Sequence, residues 1–132
     1  MWRKRSKNPV YNIHLLQQLW FACQDLNARF GIDPRQQESI GIFKEEVLEF
    51  IEAYNGQWKG HSITGCQATE HIADELADVI VTAMQMAMAR GLEFGDIGWG
   101  ILRTIDKNNV KTSQTHELDP TTRKIRRKAV AP

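Results

Sequence analysis

Several protein classes are excluded by what this sequence has little of. It holds two cysteines in 132 residues, Cys23 and Cys66, and neither belongs to a CxxC pair. That is too few for a disulfide scaffold and fits a reducing, intracellular setting. Four prolines and nine glycines exclude collagen-like and low-complexity chains. Long apolar runs are missing as well: the longest uncharged apolar-rich stretch, Val79 to Ala89, has eleven residues, whereas a membrane-spanning helix needs about 20. Asn12 to Asn27 is too polar for the apolar segment of a secretory signal. The expected location is the cytoplasm, with no membrane partner.

Acidic residues are absent from both ends. Residues 1–7 carry Arg3, Lys4, Arg5 and Lys7, and residues 121–132 carry Arg123, Lys124, Arg126, Arg127 and Lys128. Between them, residues 8–120 hold all sixteen acids against eight basic residues, so a body of charge −8 hides inside a total of +1. Such a body repels phosphate unless something compensates it, such as a bound cation.

Signatures of common chemistries are also missing. No GxxxxGK[ST] loop occurs, and Gly98-Trp99-Gly100 does not continue as GxGxxG. None of His14, His61, His71 and His116 follows a Glu by three positions, so the Glu-x-x-His element of di-iron bundles is lacking. His71 and Glu75 share a helical face, a single pair that identifies no centre by itself.

What the sequence does have is helical periodicity, which predicts an all-α fold of four main helices. The first, about Asn12 to Phe30, places Ile13, Leu16, Trp20, Cys23 and Phe30 on one face and stops at Gly31. The second opens at Asp33, with Pro34 at the first helical position and Gln36 at the capping-box site. Its apolar face is Ile40, Phe43, Val47, Phe50 and Tyr54. After a loop bearing Gly56, Gly60 and Gly65, the third runs from about Ala68 to Arg90, with Gly91 as a left-handed stop. The fourth extends from about Asp96 to Lys111. Asp119-Pro120 is a second cap-plus-proline pair, which predicts a short basic C-terminal helix or tail. The expected division is a basic tail over residues 1–11, one helical domain over 12–111 and a basic extension over 112–132.

Two helices carry clustered acids. Glu45, Glu46 and Glu49 lie on the second, and Glu75 and Asp78 on the third. Positions three apart on a helix converge on one side, so Glu46 pairs with Glu49 and Glu75 with Asp78. Ile42 and Ala53 share the side of the first pair, and Thr82 continues the side of the second, so both stripes border surface expected to be buried. If the two helices form an antiparallel hairpin, four carboxylates face one another. That is an all-oxygen set suited to Mg²⁺ or Mn²⁺. The bland alternative is a pair of solvated helix faces.

The arrangement resembles the MazG-like superfamily of all-α nucleoside triphosphate pyrophosphohydrolases, which carry EExxE on one helix and ExxD on the next. Here the two elements are separated by 25 residues, and the resemblance covers about residues 12 to 111. It implies that Glu46, Glu49, Glu75 and Asp78 hold Mg²⁺, with Mn²⁺ able to substitute. Glu45 would help bind a further ion or orient the attacking water, with Glu45 and Glu46 as the catalytic carboxylates. It further implies cleavage of a nucleoside triphosphate, ribo or deoxy, to the monophosphate and pyrophosphate, for cleaning or remodelling the nucleotide pool, in a host cytoplasm if the chain is phage-encoded. Asn108 and Lys111 match the family's Asn-x-x-Lys phosphate element, although Thr104 stands where a basic residue often precedes it. Base contacts would fall on the first helix, at Trp20, Gln17 and His14. Relatives complete their core as a homodimer or homotetramer.

Two other readings compete. Phosphoribosyl-ATP pyrophosphohydrolases share the architecture and differ in substrate. A non-enzymatic helical nucleic-acid-binding module would use the basic ends, with an affinity that falls as salt rises. The acidic body and the lack of a helix-turn-helix pattern argue against a nucleic-acid partner.

Overall fold

Periodicity gives way to structure most directly where a glycine ends a helix. The computed structural model describes residues 9–129, with side chains from residue 14. The N-terminal basic cluster, Trp2 and the side chain of Ile13 lie outside the described residues. Four helices follow one another: α1 (Pro9–Phe30), α2 (Ser39–Tyr54), α3 (Gly65–Ala89) and α4 (Phe94–Asn109). At the end of α1, Gly31 adopts φ +64°, its amide bonds the Ala28 carbonyl at 3.4 Å, and Ile32 N–H donates to Asn27 O at 2.8 Å. At the end of α3, Gly91 adopts φ +78°, with Gly91 N–H on Met88 O and Leu92 N–H on Ala87 O, both at 3.0 Å. These are the same two bonds closing the same left-handed stop, which a residue with a Cβ adopts only under strain.

The chain divides into two compact units, one up to Phe94 and one from Gly95 onward. The fourth helix therefore groups with the C-terminal segment rather than with α1–α3. No described helix is long and apolar enough to cross a membrane.

In the first unit, α2 packs most extensively on α3, and α1 also packs on α3. The fully covered apolar side chains are few: Trp20 and Cys23 from α1, Ala53 from α2 and Met84 from α3. Burial pushes the Cys23 thiol above its ordinary range, which suits a packing role. Beside them lies a polar clamp that the periodicity gave no hint of. Asn27 Nδ2 donates to Gln85 Oε1 and Gln85 Nε2 donates to Asn27 Oδ1, each at 2.8 Å and buried. Each amide satisfies the other, so both can leave water without stranding a polar group. Phe30, Ile40 and Tyr54, expected on packed faces, are instead 72%, 57% and 74% exposed. All three stand at helix ends, where a neighbouring helix covers least.

The helical expectation needs correction at two caps. Asp33 does cap, accepting from Arg35 N–H at 3.0 Å, but what it caps is a 3-10 turn at Pro34–Gln36. Arg35 also grips both Asp33 oxygens, with Nε on Oδ1 and Nη2 on Oδ2 at 3.2 Å. Gln37 is then extended (φ −83°, ψ 147°), so α2 starts afresh at Ser39.

The second correction is larger: the predicted C-terminal helix is a β-hairpin, β3 (His116–Leu118) paired antiparallel with β4 (Ile125–Arg127). Asp119 performs its capping chemistry, accepting from Thr121 and Thr122 N–H at 2.9 Å each, but inside a turn closed by Asp119 N–H on Lys124 O at 2.7 Å. Two forces favour the strand. Thr121, Thr122 and Ile125 are β-branched, and a helix would stack Arg123 on Arg127 and Lys124 on Lys128 at like-charge i,i+4 spacing. The strand sends neighbours to opposite faces and brings Arg126 Nε to 3.1 Å from Asp119 Oδ2.

Candidate metal centre

The α2–α3 connection is shorter and more ordered than a glycine-bearing loop requires. Gln57 pairs with Ser62 and Trp58 with His61 across two short strands, β1 (Gln57–Trp58) and β2 (His61–Ser62). The two turn residues both take positive φ, Lys59 at +49° and Gly60 at +78°. This is the signature of a two-residue hairpin turn. It folds α3 back along α2 and sets the acidic positions of the two helices side by side.

Glu46, Glu75 and Asp78 each offer a carboxylate oxygen lying within 4.8 Å of the other two. Three of the four expected ligands come together; Glu49, exposed on α2, stands outside that group, although its charge is the largest neighbouring charge acting on both Glu46 and Glu75. Glu45, exposed on α2, contributes the weakest of the charges acting on Glu46. The stripes border buried surface as expected. Ala53 is fully buried, Ile42 is half-buried, and Thr82 is buried with its hydroxyl donating to the Asp78 and Val79 carbonyls at 3.1 and 3.0 Å.

Two oxygens make this more than a solvated acidic face. Glu46 Oε2 and Glu75 Oε2 are buried without a hydrogen-bond partner, and a buried polar atom left unpaired is costly. Burial pushes the carboxyls of Glu46 and Glu75 above the ordinary range. The charge of Glu49 pushes both the same way, as does that of Asp78, while His71 counteracts part of the effect on Glu75. Hard oxygens held close, short of donors and short of positive charge, fit a divalent ion such as Mg²⁺ or Mn²⁺.

The His71–Glu75 pair, which the sequence offered without a role, lies against this cluster. His71, one turn before Glu75, places Nδ1 3.7 Å from Glu75 Oε1, with both side chains about 85% covered. Its ring packs on Trp58, with centroids 5.1 Å apart and planes at 41°. The i,i+4 spacing of His71 and Glu75 was the available signal.

The remaining predicted site residues are not members of that acidic group. Asn108 and Lys111 are in the second unit, where Lys111 Nζ donates to Asn108 Oδ1 at 2.9 Å. In the first unit, Trp20 is 3% exposed, with its ring 6.3 Å from that of Phe94. It walls a groove of about 540 Å³ together with Phe21, Gln24, Asn27, Met88 and Leu92. His14 and Gln17 do not line that groove; His14 Nε2 lies 3.2 Å from Gln18 Nε2, and Gln17 is half-buried. No family model, curated protein or solved structure matches the chain.

Proposed function

We propose that the chain is a Mg²⁺-dependent nucleotide pyrophosphohydrolase that cleaves a nucleoside triphosphate to the monophosphate and pyrophosphate. The observation that carries the reading is the pair of buried, partnerless oxygens on Glu46 and Glu75 within a cluster completed by Asp78. Glu46, Glu49, Glu75 and Asp78 would hold the ion. When bound, it would neutralise phosphate oxygens and lower the pKa of a coordinated water.

The chain's own residues supply the rest. Glu45, exposed on α2 next to Glu46, would accept a proton from water. Ala53 and Thr82, buried on the same sides of their helices as the acids, would limit access of bulk water from that side. The carboxylates would turn a surface that repels triphosphate into one that holds it once a cation is present. Asn108 and Lys111 are proposed to contact phosphate and Trp20, Gln17 and His14 the base. Exposed apolar side chains at Phe30, Ile40, Leu48 and Tyr54 support assembly as a homodimer or homotetramer.

Pyrophosphate release from each common NTP and dNTP and from phosphoribosyl-ATP, with Mg²⁺ or Mn²⁺ and with EDTA, tests the activity and its substrate together. Turnover by the wild type should vanish in EDTA. Glu49→Gln and Asp78→Asn should each lower it by roughly 10²–10⁴-fold while circular dichroism keeps its helical signal. Near-normal rates in both variants would overturn the ligand assignment, and Lys111→Ala should raise KM if it contacts phosphate.

A further inference from the structure

The β1–β2 hairpin does more than join α2 to α3. Its turn holds Lys59, a residue with a Cβ, at φ +49°, with Nζ 5.4 Å from the centre of the Trp58 ring. Gln57 Nε2 ties the two strands to each other by donating to Ser62 Oγ at 3.2 Å. Trp58, 42% exposed, thus has Lys59 over its ring, while the ring also packs against His71. His71 in turn directs Nδ1 at one oxygen of Glu75, Oε1, whereas the other, Oε2, is the buried atom without a partner.

The contacts form one line: hairpin turn, indole, imidazole, carboxylate. At 3.7 Å the last contact is an electrostatic approach rather than a hydrogen bond, close enough to bias which way the carboxylate turns. Asp78, the third member of the cluster, has no such support among the hydrogen bonds and ion pairs of the described residues. We infer that His71, held in place by Trp58, is a positioning residue that fixes the Glu75 carboxylate for cation binding. This inference rests on the reading of the acidic cluster as a cation site. Groups that orient a ligand from behind change metal affinity by about 10–100-fold when removed.

The Mn²⁺ ion alone is a sufficient probe, followed by electron paramagnetic resonance of the free ion during titration. His71→Ala should weaken binding by about 10–100-fold with helicity unchanged. His71→Asn should restore most of the affinity, because the asparagine Nδ2 falls close to the position of the lost Nδ1. His71→Gln, which mimics the other ring nitrogen, should not. Trp58→Ala should weaken binding in the same direction and Trp58→Phe should largely preserve it.

Wild-type affinity in His71→Ala would overturn the inference while leaving the cation site standing. Equal loss in His71→Asn and His71→Ala would overturn it too, because the imidazole would then matter only as packing. Absence of Mn²⁺ binding by the wild-type chain would overturn both the inference and the reading beneath it.

Discussion

Carboxylates are treated in opposite ways by the β3–β4 hairpin and the α2–α3 helical hairpin of this chain. In the β3–β4 hairpin, Asp119 accepts from the amides of Thr122 and Thr121 and from the Arg126 guanidinium. Those donors hold its carboxyl below the ordinary range. In the α2–α3 hairpin, Glu46 and Glu75 have an unpartnered oxygen each and carboxylate neighbours, and their carboxyls sit above it. A satisfied carboxylate is explained by the fold it stabilises. One left buried among like charges has no such explanation within the fold and fits the cation site proposed above. The Asn27–Gln85 clamp belongs with the first kind, since its buried amides complete each other.

The contrast is strongest if stability and cation binding are made to move in opposite directions. Asn27→Ala carries the largest stability effect, because it strands the buried Gln85 amide and opens a gap between α1 and α3. Removing one partner of a buried pair costs roughly 1–3 kcal/mol. Chemical denaturation should show that loss while the Mn²⁺ affinity of the folded protein stays near wild type. A loss of Mn²⁺ binding in step with stability would mean that the cluster is not an independently formed site.

Glu75→Gln should do the reverse, with a smaller effect on stability. The substitution removes a charge disfavoured by burial and repelled by Glu49 and Asp78, so the cation-free protein should gain stability while Mn²⁺ binding collapses. The same logic fixes a pH dependence. A carboxyl whose folded pKa is raised contributes its stability below the unfolded value, here about 4.5, and loses it as pH rises through the folded value. The melting temperature in EDTA should therefore fall from mildly acidic towards neutral pH, and Mg²⁺ should restore it at neutral pH, where the ligands are deprotonated. If Glu75→Gln destabilises the cation-free protein, its carboxylate is structural and the comparison with Asp119 fails.

Much of this was legible in the chain before any coordinates, and the gaps have physical causes. The four helices follow from apolar spacing, and the stops at Gly31 and Gly91 from the one residue that takes positive φ without strain. The acidic cluster was legible as well, because two helices joined by ten residues, 55–64, have little choice but to lie side by side. Tertiary pairing was not. Nothing in the periodicity links Asn27 to Gln85, 58 residues apart, and Trp58 reaches His71 only because Lys59 accepts a left-handed turn. The β3–β4 hairpin was misread for an instructive reason. Asp followed by Pro opens a helix or a turn with the same side-chain bonds, and the choice rested on the β-branched and like-charged residues after it.

The smallest effect belongs to Asp119 itself, where the comparison can be sharpened from its satisfied side. The carboxyl is held low by the Thr122 and Thr121 amides, with help from Arg126. Its contribution should be complete above the ordinary aspartate value, about 3.8, and should fade only as pH falls through the lower folded value. Well above that ordinary value, the contribution of the Asp119 carboxylate to the hairpin should therefore be indifferent to pH. NMR amide shifts of Thr121 and Thr122 would follow the titration directly, and Asp119→Asn should disturb those amides and the Arg126 contact while leaving Mn²⁺ affinity unchanged. A shift of those amides well above the ordinary aspartate value that persists in His116→Gln would show that they do not hold the Asp119 carboxyl low, and the contrast with Glu46 and Glu75 would lose its satisfied side.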